Sequence, residues 1–266
     1  MPPRDPSPDR GVTTGSEPAA RRGAEKRRPS IFWLLAGILL PLVGLLVKFR
    51  FVDRDKFPAA GAFVLAPNHL SEIDPVVVGA ASWYLGRPPR FLAKASVFKV
   101  PVVGWLLRTS GQIPVERTGR QSGDAVRAAE ELVEKGRMVV VYPEGSLTRD
   151  PDLWPMRGKS GAVRIALERG IPIVPCAHWG AQAVMPRYGK LRFWPLRKPV
   201  TVIIGDPVDL SAFEGKPLDA KTLTEATDVV MAEIARLLGE LRGEEPPAER
   251  WNPANHDQRE TGKFDG

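Results

Sequence analysis

The chain has 266 residues, 43% hydrophobic and 26% charged, which excludes a wholly disordered polypeptide and suffices for one substantial core or two small ones. Its single cysteine, Cys176, excludes an intramolecular disulfide, and three histidines (His69, His178, His256) without paired cysteines leave little material for a structural zinc site, so no metal is expected and a reducing, intracellular setting is the default. Lys and Arg outnumber Asp and Glu by 38 to 31, and the net charge of +7 points toward anionic partners: nucleic acid, a phospholipid surface or phosphorylated small molecules.

Residues 1–30 are rich in Pro, Arg, Ser and Gly without apolar periodicity, and read as a disordered basic tail. Residues 31–47, IFWLLAGILLPLVGLLV, carry no charge and are flanked by Arg27 and Arg28 before and Lys48 and Arg50 after. A continuous helix of that length reaches roughly 25 Å, short of a hydrocarbon core of about 30 Å, and Pro41 and Gly44 argue against one straight span. Three readings compete. A cleaved signal peptide lacks a small-residue cleavage site, because KFRF follows the apolar run. A buried core helix conflicts with bulky apolar residues on every helical face. A membrane anchor, spanning or kinked and half-inserted, fits best and sets the basic tail on the cytoplasmic side of the cell membrane.

From residue 51 to 242 the pattern is that of one globular domain. Apolar β-rich runs at 62–66, 90–93, 137–142, 171–176 and 200–204 are mostly separated by stretches with helical signals. The alternation predicts an α/β fold, a single domain with a mixed, mostly parallel central sheet flanked by helices. Helices are predicted at 123–135, where Gly136 stops the run, and at about 219–241, where Ala226, Val230, Ile234, Leu237 and Leu241 keep amphipathic spacing. Residues 243–266 return to a charged, proline-containing pattern and read as a second disordered tail.

No G-x-S-x-G elbow, H-E-x-x-H helix or G-x-G-x-x-G loop is present. Cys176, at the end of an apolar strand, reads as an inert buried thiol. What remains is NHLSEIDP, 68–75, directly after a predicted strand. Asp74 reads as a helix N-cap and Pro75 as the first helical residue, with the helix running to about Tyr84, so His69 falls on the strand-to-helix loop. On one helix the His69 and Asp74 side chains would stand some 140° apart; in a loop they can meet. A histidine held by a carboxylate through one ring nitrogen presents the other as a general base. The bland alternative is a solvent-facing histidine beside an ordinary capping aspartate.

Three further segments bear on that choice. Residues 91–117 bring Lys94, Lys99, Arg108 and Arg117 around an apolar stretch; 142–150, YPEGSLTRD, sets Glu144 and Gly145 after a strand; and 171–175 is IPIVP. Together and in this order they resemble the four sequence blocks of the glycerolipid acyltransferases typified by 1-acylglycerol-3-phosphate acyltransferase, over roughly residues 60–180. The resemblance implies that His69 and Asp74 are the catalytic base and its partner. It aligns Lys94 and Arg117 with the second block, Tyr142, Pro143, Glu144 and Gly145 with the third, and Ile171 to Pro175 with the fourth. Where the family commonly has arginine two places after the glycine, this chain has Leu147, with Arg149 two residues further on.

Acyl transfer from a thioester to a hydroxyl needs one base near neutrality and no Ser or Cys nucleophile. Backbone N–H groups at the start of the helix after Asp74 are candidate oxyanion donors. Arg117, Lys94, Arg149 and Lys159 are candidates for an acceptor phosphate. The stretch 97–107, with Val97, Phe98, Trp105 and Leu106, is expected to face the bilayer or line an acyl groove. The resulting expectation is a membrane-associated enzyme acylating lysophosphatidic acid to phosphatidic acid. Acyl-coenzyme A or acyl carrier protein is its donor substrate, it needs no cofactor, and it binds no nucleic acid. Glycerol 3-phosphate or another lysolipid as acceptor, or a lipid-binding protein without turnover, are the alternatives.

Overall fold

A computed structural model describes residues 13–14, 26, 30–115 and 133–259. Its centre is a six-stranded sheet in the order β1-β2-β8-β7-β3-β6. These strands are β1 (Thr13–Thr14), β2 (Val47–Val52), β3 (Phe63–Pro67), β6 (Met138–Val140), β7 (Ile173–Trp179) and β8 (Lys198–Ile204). β7, β3 and β6 run parallel, β2 runs parallel to β8, and the β7–β8 and β1–β2 pairs are antiparallel. A small parallel pair, β4 (Leu92–Lys94) with β5 (Ile113–Val115), joins the sheet edge through a bridge between Phe91 and Val140. The expected mixed, mostly parallel α/β sheet is thus present.

Strand alternation sorts side chains into two cores. Phe63 and Leu65 of β3, with Met138 and Val140 of β6, pack on one face beneath α1 (Ile31–Leu46) and α2 (Asp74–Tyr84). Val64, Ala66 and Val139 pack on the other, beneath α4 (Gly161–Arg169) and α6 (Ala220–Arg242), between which lies the short α5 (Ala181–Val184) in chain order after β7. Burial on both faces explains why these strands read as continuous apolar runs. The helix expected at 123–135 lies outside the described residues up to position 132; Val133 and Glu134 are helical, and Gly136, at φ +66°, follows their end.

Three boundaries differ from expectation. The sheet extends on the amino side of residue 51: Thr13 and Thr14, expected to lie in a disordered tail, pair with Phe51 and Arg50, and VKFRFV is β2, with Val47, Phe49 and Phe51 buried while Lys48 is exposed, so Lys48 and Arg50 after the apolar run belong to an alternating strand. The apolar run itself is α1, continuous through Pro41, and its Trp33 packs edge-on against Trp83 of α2 at 5.4 Å. Its buried residues are Phe32 and Val43, while Leu34, Ile38, Leu42 and Leu45 are exposed. Among the described residues no helix is long and apolar enough to cross a membrane. At the other end, 243–259 packs back onto the domain and is no free tail. The carbonyl of Trp251 accepts from the Arg157 N–H at 2.9 Å, Arg250 pairs with Asp228, and Pro253 is buried.

Phe51 is 3% exposed and stacks on Phe49 at 5.8 Å. Phe51→Ala should therefore destabilise the domain by about 3–5 kcal/mol in chemical denaturation; a loss below about 1 kcal/mol would place β2 outside the cooperative core.

Candidate active site

In parallel sheets, functional groups collect beyond the carboxyl ends of adjacent strands. Here β7, β3 and β6 are neighbours, and their carboxyl ends deliver His178, His69 and Glu144 respectively. The three residues are distant in sequence, and sheet register brings them together.

Leaving β3, the chain turns through Asn68 to Ile73 before entering α2. Asp74 is fully buried, and its Oδ2 lies 3.0 Å from His69 Nδ1. The same oxygen accepts the backbone N–H groups of Leu70 at 2.6 Å and Ser71 at 2.8 Å. With a carboxylate oxygen as acceptor, Nδ1 is the protonated nitrogen and Nε2 carries the free lone pair. Among the described residues Nε2 of His69 has no hydrogen-bond partner, and the His69 side chain is 12% exposed.

Asp74 differs in one respect from its expected role. The N-cap is Ile73, and the Asp74 carboxylate turns back to the preceding loop instead of capping the amides ahead of it. The first amides of α2 are spent internally, with Val76 N and Val77 N donating to the Ile73 carbonyl. Pro75 has no N–H. The expected oxyanion donors at this helix start are therefore occupied.

Glu144 fixes the other side of the loop. Its Oε1 accepts the His69 N–H at 2.9 Å and its Oε2 accepts the Met156 N–H at 3.0 Å, while the Thr148 N–H donates to the His69 carbonyl at 2.9 Å. Both backbone groups of His69 are thus anchored to the segment after β6. Burial pushes the Glu144 carboxyl up to about 8, against the opposing pull of the Met156 and His69 amides. The Tyr142 ring stacks on the His69 imidazole at 4.1 Å and 24°, limiting its rotation. Gly145, at φ +69°, turns the chain so that the stem of Lys159 crosses it; a Cβ there would approach Lys159 Cδ to 2.9 Å.

His178 was not singled out by sequence reasoning. It is fully buried, its Nε2 lies 3.2 Å from the Asn68 carbonyl oxygen and 3.7 Å from Asp74 Oδ1, and burial lowers its pKa. The Asn68 side chain completes the link, accepting the His178 N–H at 2.9 Å and donating to the His178 carbonyl at 3.1 Å. No one-dimensional motif carries this signal, because Asn68 and His178 meet only across strands β3 and β7. Cys176 is buried, which pushes its thiol up to about 12 and removes it as a nucleophile. Among the described residues no three His, Cys, Asp or Glu side chains are grouped as metal ligands.

The remaining candidates divide. Leu147 is buried, so the position that commonly holds arginine in the family is apolar core here. Arg149 is also buried, at 4% exposure, and its guanidinium donates to the Tyr188 hydroxyl at 2.6 Å. Lys159 is exposed, Lys94 closes β4, and Arg117 lies outside the described residues. In 97–107, Val97 and Trp105 are exposed and Leu106 is half-buried. Phe98 is buried, so it packs within the protein and does not face a bilayer; Gly104 sits so close to it that a Cβ would fall 2.0 Å from the Phe98 carbonyl oxygen.

A carboxyl raised from 4.5 to about 8 on folding binds more protons folded than unfolded between those values, so its contribution to stability is complete at low pH and declines as pH rises through that window. Glu144→Gln, which cannot titrate, should lack this decline. Its melting-temperature deficit relative to wild type should be largest near pH 5 and shrink toward pH 8; a constant deficit would mean that Glu144 is ionised throughout.

A family model described as Acyltransferase matches residues 48–179, a span that contains His69, Asp74, Glu144 and His178. The chloroplastic 1-acyl-sn-glycerol-3-phosphate acyltransferase BAT2 of Brassica napus is 35% identical over 46% of this chain, which covers 34% of that protein, and the Arabidopsis thaliana relative LPAT1 is matched over 33% of its length. The chain thus spans about a third of the length of these plant relatives. The 1-acyl-sn-glycerol-3-phosphate acyltransferase of Bacillus subtilis is 26% identical over 77% of this chain and 98% of its own length. The crystal structure of the 1-acyl-sn-glycerophosphate acyltransferase PlsC from Thermotoga maritima superposes with a TM-score of 0.53 at 25% identity, covering 84% of this chain and 80% of that one. With His69 and Asp74 of the first block joined to Tyr142 and Glu144 of the third inside the matched span, the chain belongs to the glycerolipid acyltransferase family.

Proposed function

We propose that this protein transfers a fatty acyl group from an acyl thioester to the free glycerol hydroxyl of lysophosphatidic acid, forming phosphatidic acid. The observation that carries the reading is the His69–Asp74 contact at 3.0 Å, which fixes the imidazole with Nε2 unengaged. Nε2 takes the hydroxyl proton as the oxygen attacks the thioester carbonyl. As the tetrahedral intermediate collapses, the carbon–sulfur bond breaks and the imidazolium returns its proton to the departing thiolate. The thiolate needs little help to leave, because its conjugate acid has a pKa near 8.5. No covalent acyl-enzyme is required. The donor is acyl-coenzyme A or acyl carrier protein, no cofactor takes part, and nucleic acid is not a partner.

Arg117, with Lys94 and Lys159, is assigned to the acceptor phosphate, whose negative charge calls for guanidinium or ammonium partners. Arg149 supplies a second guanidinium, displaced two positions from Leu147 and oriented by Tyr188.

The site works at a membrane surface, on the cytoplasmic face of the cell membrane. The support is an exposed apolar surface: Leu34, Ile38, Leu42 and Leu45 on α1, Val102 and Trp105 on α3 (Pro101–Thr109), and Phe193, Trp194 and Leu196 beside the end of α1. Arg197 N donates to the Leu45 carbonyl, which ties that last loop to α1. Scattered apolar residues are ordinary on soluble proteins, whereas contiguous ones mark an interaction surface. α1 then lies in the interface with one face on α2 and the other in lipid, half-inserted.

Two outcomes check this. His69→Ala should lower kcat at least about a thousandfold in a thioester-release assay while melting near wild type, since loss of a general base costs about 10²–10⁴; near wild-type turnover would remove the mechanism. Trp105→Glu should weaken vesicle binding without loss of secondary structure by circular dichroism, and general unfolding would show instead that α3 is core.

A further inference from the structure

Alternation along β7 places His178 on the same face as Val174 and Cys176, the face that packs beneath α2, and so beside Asp74, the first residue of that helix. The backbone ladder between β3 and β7 ends at Pro67, opposite Cys176. One residue further along, side chains take over. The Asn68 amide accepts the His178 N–H and donates to the His178 carbonyl, and the His178 imidazole in return donates from Nε2 to the Asn68 carbonyl at 3.2 Å. The two bonds through the Asn68 side chain already tie the strand ends together. The third reaches a different group.

The Asn68 carbonyl belongs to the peptide group whose N–H is that of His69. Its oxygen is held by His178 Nε2 from β7, and its N–H is held at 2.9 Å by Glu144 Oε1 from beyond β6. A peptide group is planar and resists rotation about its C–N bond, so grips on its two ends fix the plane from which His69 leaves the strand. Because a carbonyl oxygen only accepts, Nε2 is the protonated nitrogen of His178, and its buried Nδ1 has no hydrogen-bond partner among the described residues. An apolar side chain of similar size would avoid the cost of that buried nitrogen. The same Nε2–H lies 3.7 Å from Asp74 Oδ1, the carboxylate oxygen that no hydrogen bond engages among the described residues, so its positive end faces the group that holds the His69 ring. Burial lowers the pKa of His178, and a neutral ring leaves the charge of Asp74 to His69.

We propose that His178 is a positioning residue for acyl transfer: its Nε2–H orients the Asn68–His69 peptide and, through it, the imidazole of His69. The inference rests on the reading of His69 as the general base.

Two substitutions test it in the full chain. His178→Leu removes the donor at similar volume, and His178→Gln restores one, because the glutamine side-chain nitrogen stands about as far from the backbone as histidine Nε2. A misplacement of about 1 Å costs up to about a hundredfold, so His178→Leu should lower kcat about 10- to 100-fold with KM for thioester and acceptor changed less than about twofold. His178→Gln should recover kcat to within about threefold of wild type. Nitrogen-15 spectra of labelled histidine give a second readout that needs no turnover. Wild-type His178 should show a protonated Nε2, and the His69 ring resonances should be broadened or doubled in His178→Leu and single again in His178→Gln. A kcat near wild type in His178→Leu, or a KM that rises as far as kcat falls, would overturn the proposal. So would His69 resonances unchanged in His178→Leu while its melting temperature drops, which would make the role of His178 one of stability alone. If His178→Leu does not fold, His178→Gln still decides, since a folded His178→Gln with kcat more than about tenfold below wild type would overturn the proposal. Absence of turnover in the wild type would refute the proposed function instead, and the His69 resonances would then decide whether His178 positions the ring.

Discussion

One buried carboxylate oxygen organises this site. Asp74 Oδ2 gathers the imidazole of His69 and the backbone N–H groups of Leu70 and Ser71, and all three donors point at an atom with no access to water. Hydrogen bonds to a charged group contribute about 1.5–3 kcal/mol each, and removing a buried acceptor leaves its donors unsatisfied at comparable cost. That concentration of acceptor strength bends residues 69–73 into a loop where a helix starting earlier would have carried His69 and Asp74 to different faces. Catalytic geometry and local backbone geometry therefore have the same cause.

Around that oxygen the fold adds constraints from strands far apart in sequence. Glu144 after β6 and Thr148 beyond it hold the two backbone groups of His69, and Asn68 is locked to His178 of β7 by reciprocal bonds. Tyr142 covers one face of the imidazole. The base is thus gripped by its ring, its amide and its carbonyl, leaving Nε2 as the unengaged ring nitrogen. Such preorganisation matters because reorienting a loosely held side chain would add to the barrier at every turnover.

How much of this was legible in the sequence depends on the range of the interaction. His69 and Asp74 are five residues apart, and a proline beside the aspartate marks a helix start, so their meeting in a loop could be reasoned locally. The direction of the Asp74 carboxylate could not, because an aspartate at a helix start caps forward by default and turns back here only where loop amides converge on it. β2 was obscured by its setting: Lys48 and Arg50 alternate with Val47, Phe49 and Phe51, yet after an uncharged run of seventeen residues the same basic residues read as membrane flanks. The segment 243–259 is polar and proline-rich, and its backbone contact to Arg157, the Arg250–Asp228 pair and the burial of Pro253 hold it to the domain, none of which leaves an apolar period. His178 and Asn68 pair across 110 residues through sheet register, which no local pattern encodes.

The central claim is that Asp74 holds His69 as the Nδ1–H tautomer with Nε2 as the base. Nitrogen-15 NMR of selectively labelled histidine, assigned by comparison with His69→Ala and recorded above the pH at which the imidazole titrates, reads this directly. The account predicts a protonated-type resonance for His69 Nδ1 and an unprotonated-type resonance for Nε2, with the pattern lost in Asp74→Asn. A protonated Nε2 in the wild type, or a tautomer unaffected by Asp74→Asn, would contradict it.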